Sequence, residues 1–284
     1  MSLLDRAKAL LDRRSLRPLL VPLASWLARL QNKGVTRILC DDGVWIHETK
    51  RGYFAYQQPF IRLDMEKMEE KARANFFWGY RPQAGQTVID VGAGVGEETL
   101  TLSRALGREG TVVAIEAHPR TCRCLEKLVE CNGLTNVIPI HRAVTADASG
   151  TVIIQDSRAY LANRLSGATR GIAVRATTID EIHYRLSLGR VHFLKMNIEG
   201  AERLAIRGMN ETLKQTEVLC ISCHDFLADA TGDNALRTKS EVRQFFRQNG
   251  IRIRERAEPG LPPYVRDQLW GYNDALMQMK SAAS

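Results

Sequence analysis

No stretch of 18 or more apolar residues occurs in this sequence of 284 residues, so a membrane-crossing helix is not expected. A secretory leader is not expected either, because Arg13, Arg14 and Arg17 interrupt the apolar segment near the start; the reading is a cytoplasmic protein. Repeats and low-complexity tracts are missing, which sets aside solenoids and disordered linkers. No G-x-x-x-x-G-K-S/T segment exists, excluding a P-loop nucleotidase. His47, His141, His183 and His192 show no H-x-x-x-H or other ligand spacing, and no metal site is expected. Cysteine is sparse for the length, six in all, which suits reduced thiols better than a disulfide framework. Cys122 and Cys124 sit two apart in a helical pattern and Cys220 and Cys223 three apart in a strand pattern, so neither pair shares a face.

What is present is an ordinary globular composition, 44% hydrophobic and 25% charged, with an uneven charge. Of the net +8, residues 1–37 supply most, with eight Lys or Arg against two acidic residues, leaving about +2 for the rest. A nucleic-acid groove needs a basic stripe beside the working surface, so no nucleic-acid partner is expected. Residues 3–31 read as helix interrupted by Pro18 and Pro22, with Leu19, Leu23, Trp26, Leu27 and Leu30 on one apolar face. Such a helix suits packing on the domain, a second subunit in a homo-oligomer, or peripheral contact with a membrane surface.

Further along, Arg37 to Cys40 and Val44 to His47 flank the turn-forming Asp41-Asp-Gly43 and predict a hairpin. Ile61, Met65, Met68, Ala72 and Phe76 recur at helical spacing. We therefore divide the chain into an N-terminal unit of helices and hairpin, residues 1–80, and a catalytic domain, residues 81–284. From Thr87 strand and helix alternate: strands over 88–91, 111–116 and 137–144, helices near 97–106 and 119–132. Further strands are predicted at 151–155, 173–177, 191–198, 217–224 and 251–256. This alternation demands crossover helices, hence an α/β fold with a mostly parallel, doubly wound sheet.

Val88-Ile-Asp-Val-Gly-Ala-Gly-Val-Gly96 runs a buried strand into glycines at alternate positions and then a helix. Gly92, Gly94 and Gly96 let the backbone turn sharply against a ligand, with Ala93 between them. Asp90 stands where it can orient the loop or meet the ligand's amino acid portion. Glu116 ends the next strand, where a carboxylate can take both hydroxyls of a ribose, and Ala117 follows it. A nucleoside ligand follows from the combination. The spacing lacks the third glycine of a dinucleotide turn, and Glu97 and Glu98 would repel a diphosphate while tolerating the cationic sulfonium of S-adenosylmethionine. That cofactor is preferred, and an NAD(P)-dependent oxidoreductase is the alternative. After the third strand Ala143, within Arg142-Ala-Val144, is placed to cradle adenine. His118 suits a loop position better than a stacking role.

Those segments, with Ala114-Ile-Glu-Ala-His-Pro119, Asn132-Gly-Leu-Thr-Asn136, Thr177-Thr-Ile-Asp180 and Leu194-Lys-Met-Asn-Ile-Glu-Gly-Ala-Glu202, resemble the FkbM family of methyltransferases over residues 87 to about 225. The resemblance implies a Rossmann-like class I methyltransferase fold and O-methylation of a hydroxyl on a sugar, glycolipid or secondary metabolite. Two carboxylates of the family pattern are absent: Asn197 stands where Asp is usual, and Ser222 where Glu often stands two residues before His224. Independently, ligands of open α/β sheets lie beyond the strand carboxyl ends, where Asn197, Glu199 and His224 would meet. His224 or Glu199 is the expected general base, with Asn197 positioning the acceptor or the donor's amino group. Glu202 reads as a brace for its helix, and Lys195 as the partner of an acidic neighbour. A fold that binds ligand without turnover is the remaining alternative.

Overall fold

The computed structural model describes residues 17–31, 34–59, 61, 63–155 and 171–282. Helix α1 (Arg17–Gln31) leads into an antiparallel sheet of β1 (Val35–Asp41), β2 (Val44–Thr49) and β3 (Gly52–Tyr56), followed by α2 (Met65–Phe76). The expected hairpin is there: Asp42 and Gly43 take φ of 45° and 79°, the two positive angles that a tight two-residue loop needs to match strand twist. Asp64 caps α2 by accepting from the Lys67 amide.

Two features of α1 differ from expectation. Pro22 lies inside the helix instead of interrupting it, at the cost of one backbone hydrogen bond. The apolar stripe also faces the other way: Leu23, Trp26 and Leu30 are 52%, 59% and 67% exposed, while Ala24, Ser25 and Ala28 are buried. Small side chains let the helix lie close to the edge strand β1. There Ser25 Oγ donates to the Ile38 carbonyl at 3.1 Å and accepts from its amide at 3.0 Å, pairing an edge that would otherwise be open. Residues 3–16 of the expected helix lie outside the described residues.

The chain continues through β4 (Thr87–Val91), α3 (Glu97–Leu106), β5 (Thr111–Glu116), α4 (Pro119–Cys131) and β6 (Val137–His141). The strand expected over 137–144 is broken at Arg142. Beyond it β7 (Ala143–Val144) leaves the main sheet to pair with β9 (Ile172–Thr177), which also carries β8 (Thr151–Ile154). Then follow α5 (Ile179–Arg185), β10 (Val191–Met196), α6 (Glu202–Ala205), α7 (Asn210–Lys214), β11 (Thr216–Ser222), α8 (Asp225–Thr231) and α9 (Lys239–Gln248). The last elements are β12 (Arg252–Glu255), α10 (Pro263–Arg266), β13 (Gln268–Tyr272) and α11 (Asp274–Ala282). None of the described helices is long and apolar enough to cross a membrane.

The main sheet has the order β12-β13-β11-β10-β4-β5-β6, and every pairing among β11, β10, β4, β5 and β6 is parallel. Only β13 runs against its neighbours. This is the α/β, Rossmann-like doubly wound arrangement. Alternate residues feed opposite faces: Ile89, Val113, Leu194 and Leu219 enter one core, and Val88, Val112, Phe193 and Val218 the other. The chain leaves β4 in one direction toward β5 and later returns to its other side with β10, which opens a crevice at their carboxyl ends.

β13, like β3, is a strand that periodicity did not disclose. Its residues are buried on both sides, so no polar alternation marks it, and Gly271 interrupts its apolar run. That glycine is required by packing, since a Cβ there would lie 2.8 Å from Ile251 Cγ2 and 2.9 Å from the Phe246 ring. The N-terminal sheet is not a separate body. Trp45, Phe54 and Tyr56 share one core with Val95 and Leu100, around α3, and with Cys124 and Leu128 of α4.

Candidate active site

The crevice is built on a braced turn. Asp90, fully buried near the end of β4, lies with Oδ1 2.8 Å from Lys195 Nζ and accepts from Thr99 Oγ1 through Oδ2 at 2.9 Å. Lys195, reaching across from β10, also donates to the Gly92 carbonyl at 2.8 Å. Burial works against the lysine's charge, but Asp90 and Glu98 outweigh it and hold its pKa above the ordinary value. One ion pair thus ties two central strands, the first turn of α3 and the loop together. Gly92 has φ of 75°, and a Cβ there would lie 2.1 Å from the Asn197 carbonyl, so only glycine lets the two loops pass. Gly94, at φ of 60°, faces open space instead.

Glu116 closes the other wall. Its Oε2 accepts from the Gly94 amide at 2.9 Å and its Oε1 from the His118 amide at 2.8 Å, which leaves lone pairs on both oxygens. Burial raises its pKa, opposed by those two amides. Gly92, Gly94, Glu116, Ala117, Ala143 and Asn197 line one cavity, with apolar walls from Ile115, Val144 and Ile154. His118, Thr121 and Arg142 complete it.

A second cavity adjoins the first, and Gly92, Gly94, Asn197 and Glu199 belong to both. Ala93, Glu97, Glu98 and His224 line it with Phe76, Phe226 and Tyr264. Lys71 of α2 lies 5.8 Å from the centroid of the Tyr264 ring, so the N-terminal unit and the short helix α10 before β13 meet at this cavity. Burial raises the pKa of Glu97 and of Glu98; Tyr56 of β3 partly counters this at Glu97, donating its hydroxyl proton to Oε1 at 2.8 Å. Asp90 and Gly96 line neither cavity. Gly96 instead caps α3 with φ of 95°, and a Cβ on it would strike Leu125.

His224 stands two residues beyond the end of β11, at the start of α8, rather than on the strand. It is buried between two glutamates. Nδ1 is 2.9 Å from Glu202 Oε1, and Nε2 is 3.6 Å from Glu199 Oε1. Burial alone would lower its pKa, but Glu202 and Glu199 reverse that and push it up to about 10. At neutral pH the ring is therefore an imidazolium with no lone pair, unlike the neutral base expected of an unperturbed histidine. Glu202 Oε1 also accepts from the Ile198 amide at 3.0 Å, which pins the array to the loop after β10. Glu199 itself has φ of 53°, a left-handed conformation that costs a non-glycine residue about 1–2 kcal/mol.

The cysteines stay apart from this chemistry. Cys220 and Cys223 pack into the cores on opposite faces of the sheet, and burial pushes both thiols up. No cluster of three or more His, Cys, Asp or Glu suited to a metal occurs among the described residues.

Sequence reasoning had named the glycine turn, Glu116, Asn197, Glu199 and His224, but not the outer wall of Lys71, Phe76, Phe226 and Tyr264. Those four come from three distant segments, and no local pattern marks them.

Several comparisons bear on this site. The tRNA (adenine(58)-N(1))-methyltransferase catalytic subunit TRM61 of Yarrowia lipolytica is 41% identical over 63 residues. The match spans 22% of this chain and only 16% of that relative. Its counterpart in Cryptococcus neoformans is 38% identical over 68 residues, again 16% of its length. Among solved structures, the methyltransferase FkbM of Methylobacillus flagellatus superposes with a TM-score of 0.44 at 16% identity, covering 74% of this chain and 50% of that one. A methyltransferase from Aquifex aeolicus gives 0.41 at 17% identity, covering 74% and 97%. The methyltransferase FkbM domain matches residues 90–253, from the buried aspartate below the glycine turn to the edge strand β12. That span is more than half of the sequence, and the chain belongs to the FkbM methyltransferase family.

Proposed function

We propose that this chain transfers the methyl group of S-adenosylmethionine to a hydroxyl of a sugar, glycolipid or secondary metabolite. The observation that carries this reading is the Glu199, His224 and Glu202 array where the two cavities meet. Such an array can take a proton from an alcohol beside a nucleoside site.

The residues present fit the donor. The free lone pairs of Glu116 suit ribose hydroxyls, and Gly94 leaves room where a Cβ would project. Adenine fits the slot formed by Ala117, Ala143, Val144 and Ile154. The backbone of Gly92, Ala93 and Gly94 forms the turn, capped by Gly96, while Asp90 supports it from below. Glu97, Glu98 and Asn197 offer the ammonium group polar partners, and the same carboxylates disfavour the diphosphate of a nicotinamide cofactor. When bound, the donor supplies a methyl carbon activated by the adjacent sulfonium.

Glu199 is the base in this scheme. The imidazolium of His224 holds it in place, Glu202 anchors the ring from behind, and Asn197 aligns the acceptor. Glu199 takes the acceptor's O–H proton, which frees the oxygen lone pair for the methyl group that the donor, held by Glu116 and the glycine turn, would supply. Lys71, Lys195 and His224 offset the carboxylates around the second cavity and leave it no excess positive charge to draw a phosphate backbone, which supports an uncharged small acceptor over a nucleic acid.

Calorimetry and labelling test the scheme. S-adenosylhomocysteine should bind and NADH should not; a reversed preference would end the methyl-transfer reading. Radiolabelled donor with fractionated glycan, lipid and tRNA acceptors should give product in a glycan or lipid fraction. Glu199→Gln should retain cofactor binding and lose at least about a hundredfold in turnover. Label appearing in tRNA would reject the acceptor class, and full turnover by the Gln variant would reject the base.

A further inference from the structure

Helix α1 turns its apolar stripe away from the protein. Leu23, Trp26 and Leu30 fall at i, i+3 and i+7, on the side opposite the Ala24 and Ala28 contact with β1, and all three are largely exposed. Contiguous exposed apolar groups of this size mark a contact surface.

We propose that this stripe seats the protein on a bilayer bearing anionic headgroups. Charge selects the occupant. Residues 1–37, which include α1, carry eight Lys or Arg against two acidic residues, the complement of an anionic leaflet. A second copy meeting the stripe through the same face would bring two such cationic segments together, and their repulsion opposes that pairing. The 15 described residues of α1 do not meet the length for crossing, which suits an interfacial placement with Trp26 at headgroup level. Its opposite face is fixed to β1 by the paired Ser25 and Ile38 hydrogen bonds, so docking requires no rearrangement of the fold. This inference concerns location and does not depend on the methyl-transfer reading.

Vesicle flotation of the full chain tests it, comparing pure phosphatidylcholine with the same lipid containing about one third phosphatidylglycerol. The chain should float with the anionic vesicles alone and be released by salt. Trp26 emission, taken as the difference from Trp26→Phe, should shift to the blue on binding. A Leu23→Ser, Trp26→Ser, Leu30→Ser variant should lose at least about tenfold in partitioning with unchanged circular dichroism, because these side chains are exposed. No flotation, or a triple variant that floats as well as the parent, overturns the proposal. So does a Trp26 already shielded from iodide without lipid: sedimentation then distinguishes a second copy of the chain from its own residues 1–16 as the cover.

Discussion

At the scale of single residues, buried charge governs both the turn and the proposed base. Asp90 and Lys195 have no exposure to dilute their attraction, so removing one strands the other. Lys195→Met should cost about 3–5 kcal/mol in urea unfolding, and an Asp90→Asn change added to it should recover much of that loss. Equal destabilisation by the single and double variants would show that the pair does not act as a unit. The histidine gives a pH signature. Its folded pKa of about 10 lies above the unfolded value near 6.5, so its stabilising contribution is complete below the latter and lost as pH rises through the former. Wild-type urea midpoints should therefore fall steeply between about pH 7 and 10, and His224→Gln should flatten that slope. Turnover should hold across most of that range and decline only as pH rises through about 10, because deprotonation of the folded ring removes the cation beside Glu199. The position of the array was legible in the sequence, since strand ends in an open α/β sheet face the crevice. The charge of His224 was not, because it depends on how closely Glu202 approaches from the start of α6.

At the scale of elements, β3 reaches the cofactor end of the site through one hydroxyl. Tyr56 holds Glu97 at the first turn of α3, so Tyr56→Phe should weaken S-adenosylhomocysteine binding several-fold in calorimetry. The buried edge of β3 should survive with a loss of about 1 kcal/mol. An unchanged dissociation constant would confine Tyr56 to a packing role. Elements with their own punctuation could be read directly: the Asp42-Gly43 loop and the three-glycine turn both declare themselves locally. Two others could not. The stripe on α1 establishes an amphipathic helix but not which face meets the protein, and here Ala24, Ser25 and Ala28 pack more closely than leucines could. β13 lacks alternation because neither of its faces meets solvent.

At the scale of the whole molecule, the fold's cross-connections make a single cooperative unit of segments that are distant in sequence. Arg256 donates to the Ala74 carbonyl at 2.5 Å, and Arg254 and Arg256 lie over the Trp78 ring at 4.4 and 5.1 Å from its centroid. The end of α2 and the turn following it are thereby clasped to β12 and the residue after it. Trp78→Ala should lower the melting temperature and do so for probes in both the N-terminal sheet and the main sheet together. Two separate transitions in the parent chain would show that the clasp does not couple them. The antiparallel strand β13 has a larger consequence. It inserts between β12 and β11, its Gln268 lines the second cavity, and Asp267 just before it accepts from the amide of Phe226. Until residues 267–272 have left the ribosome, β11 has no neighbour on that side and the loop holding His224 has no anchor. The nascent polypeptide thus carries an open, apolar strand edge until that point, and translation that stalls before Gln268 yields a sticky species in need of chaperoning.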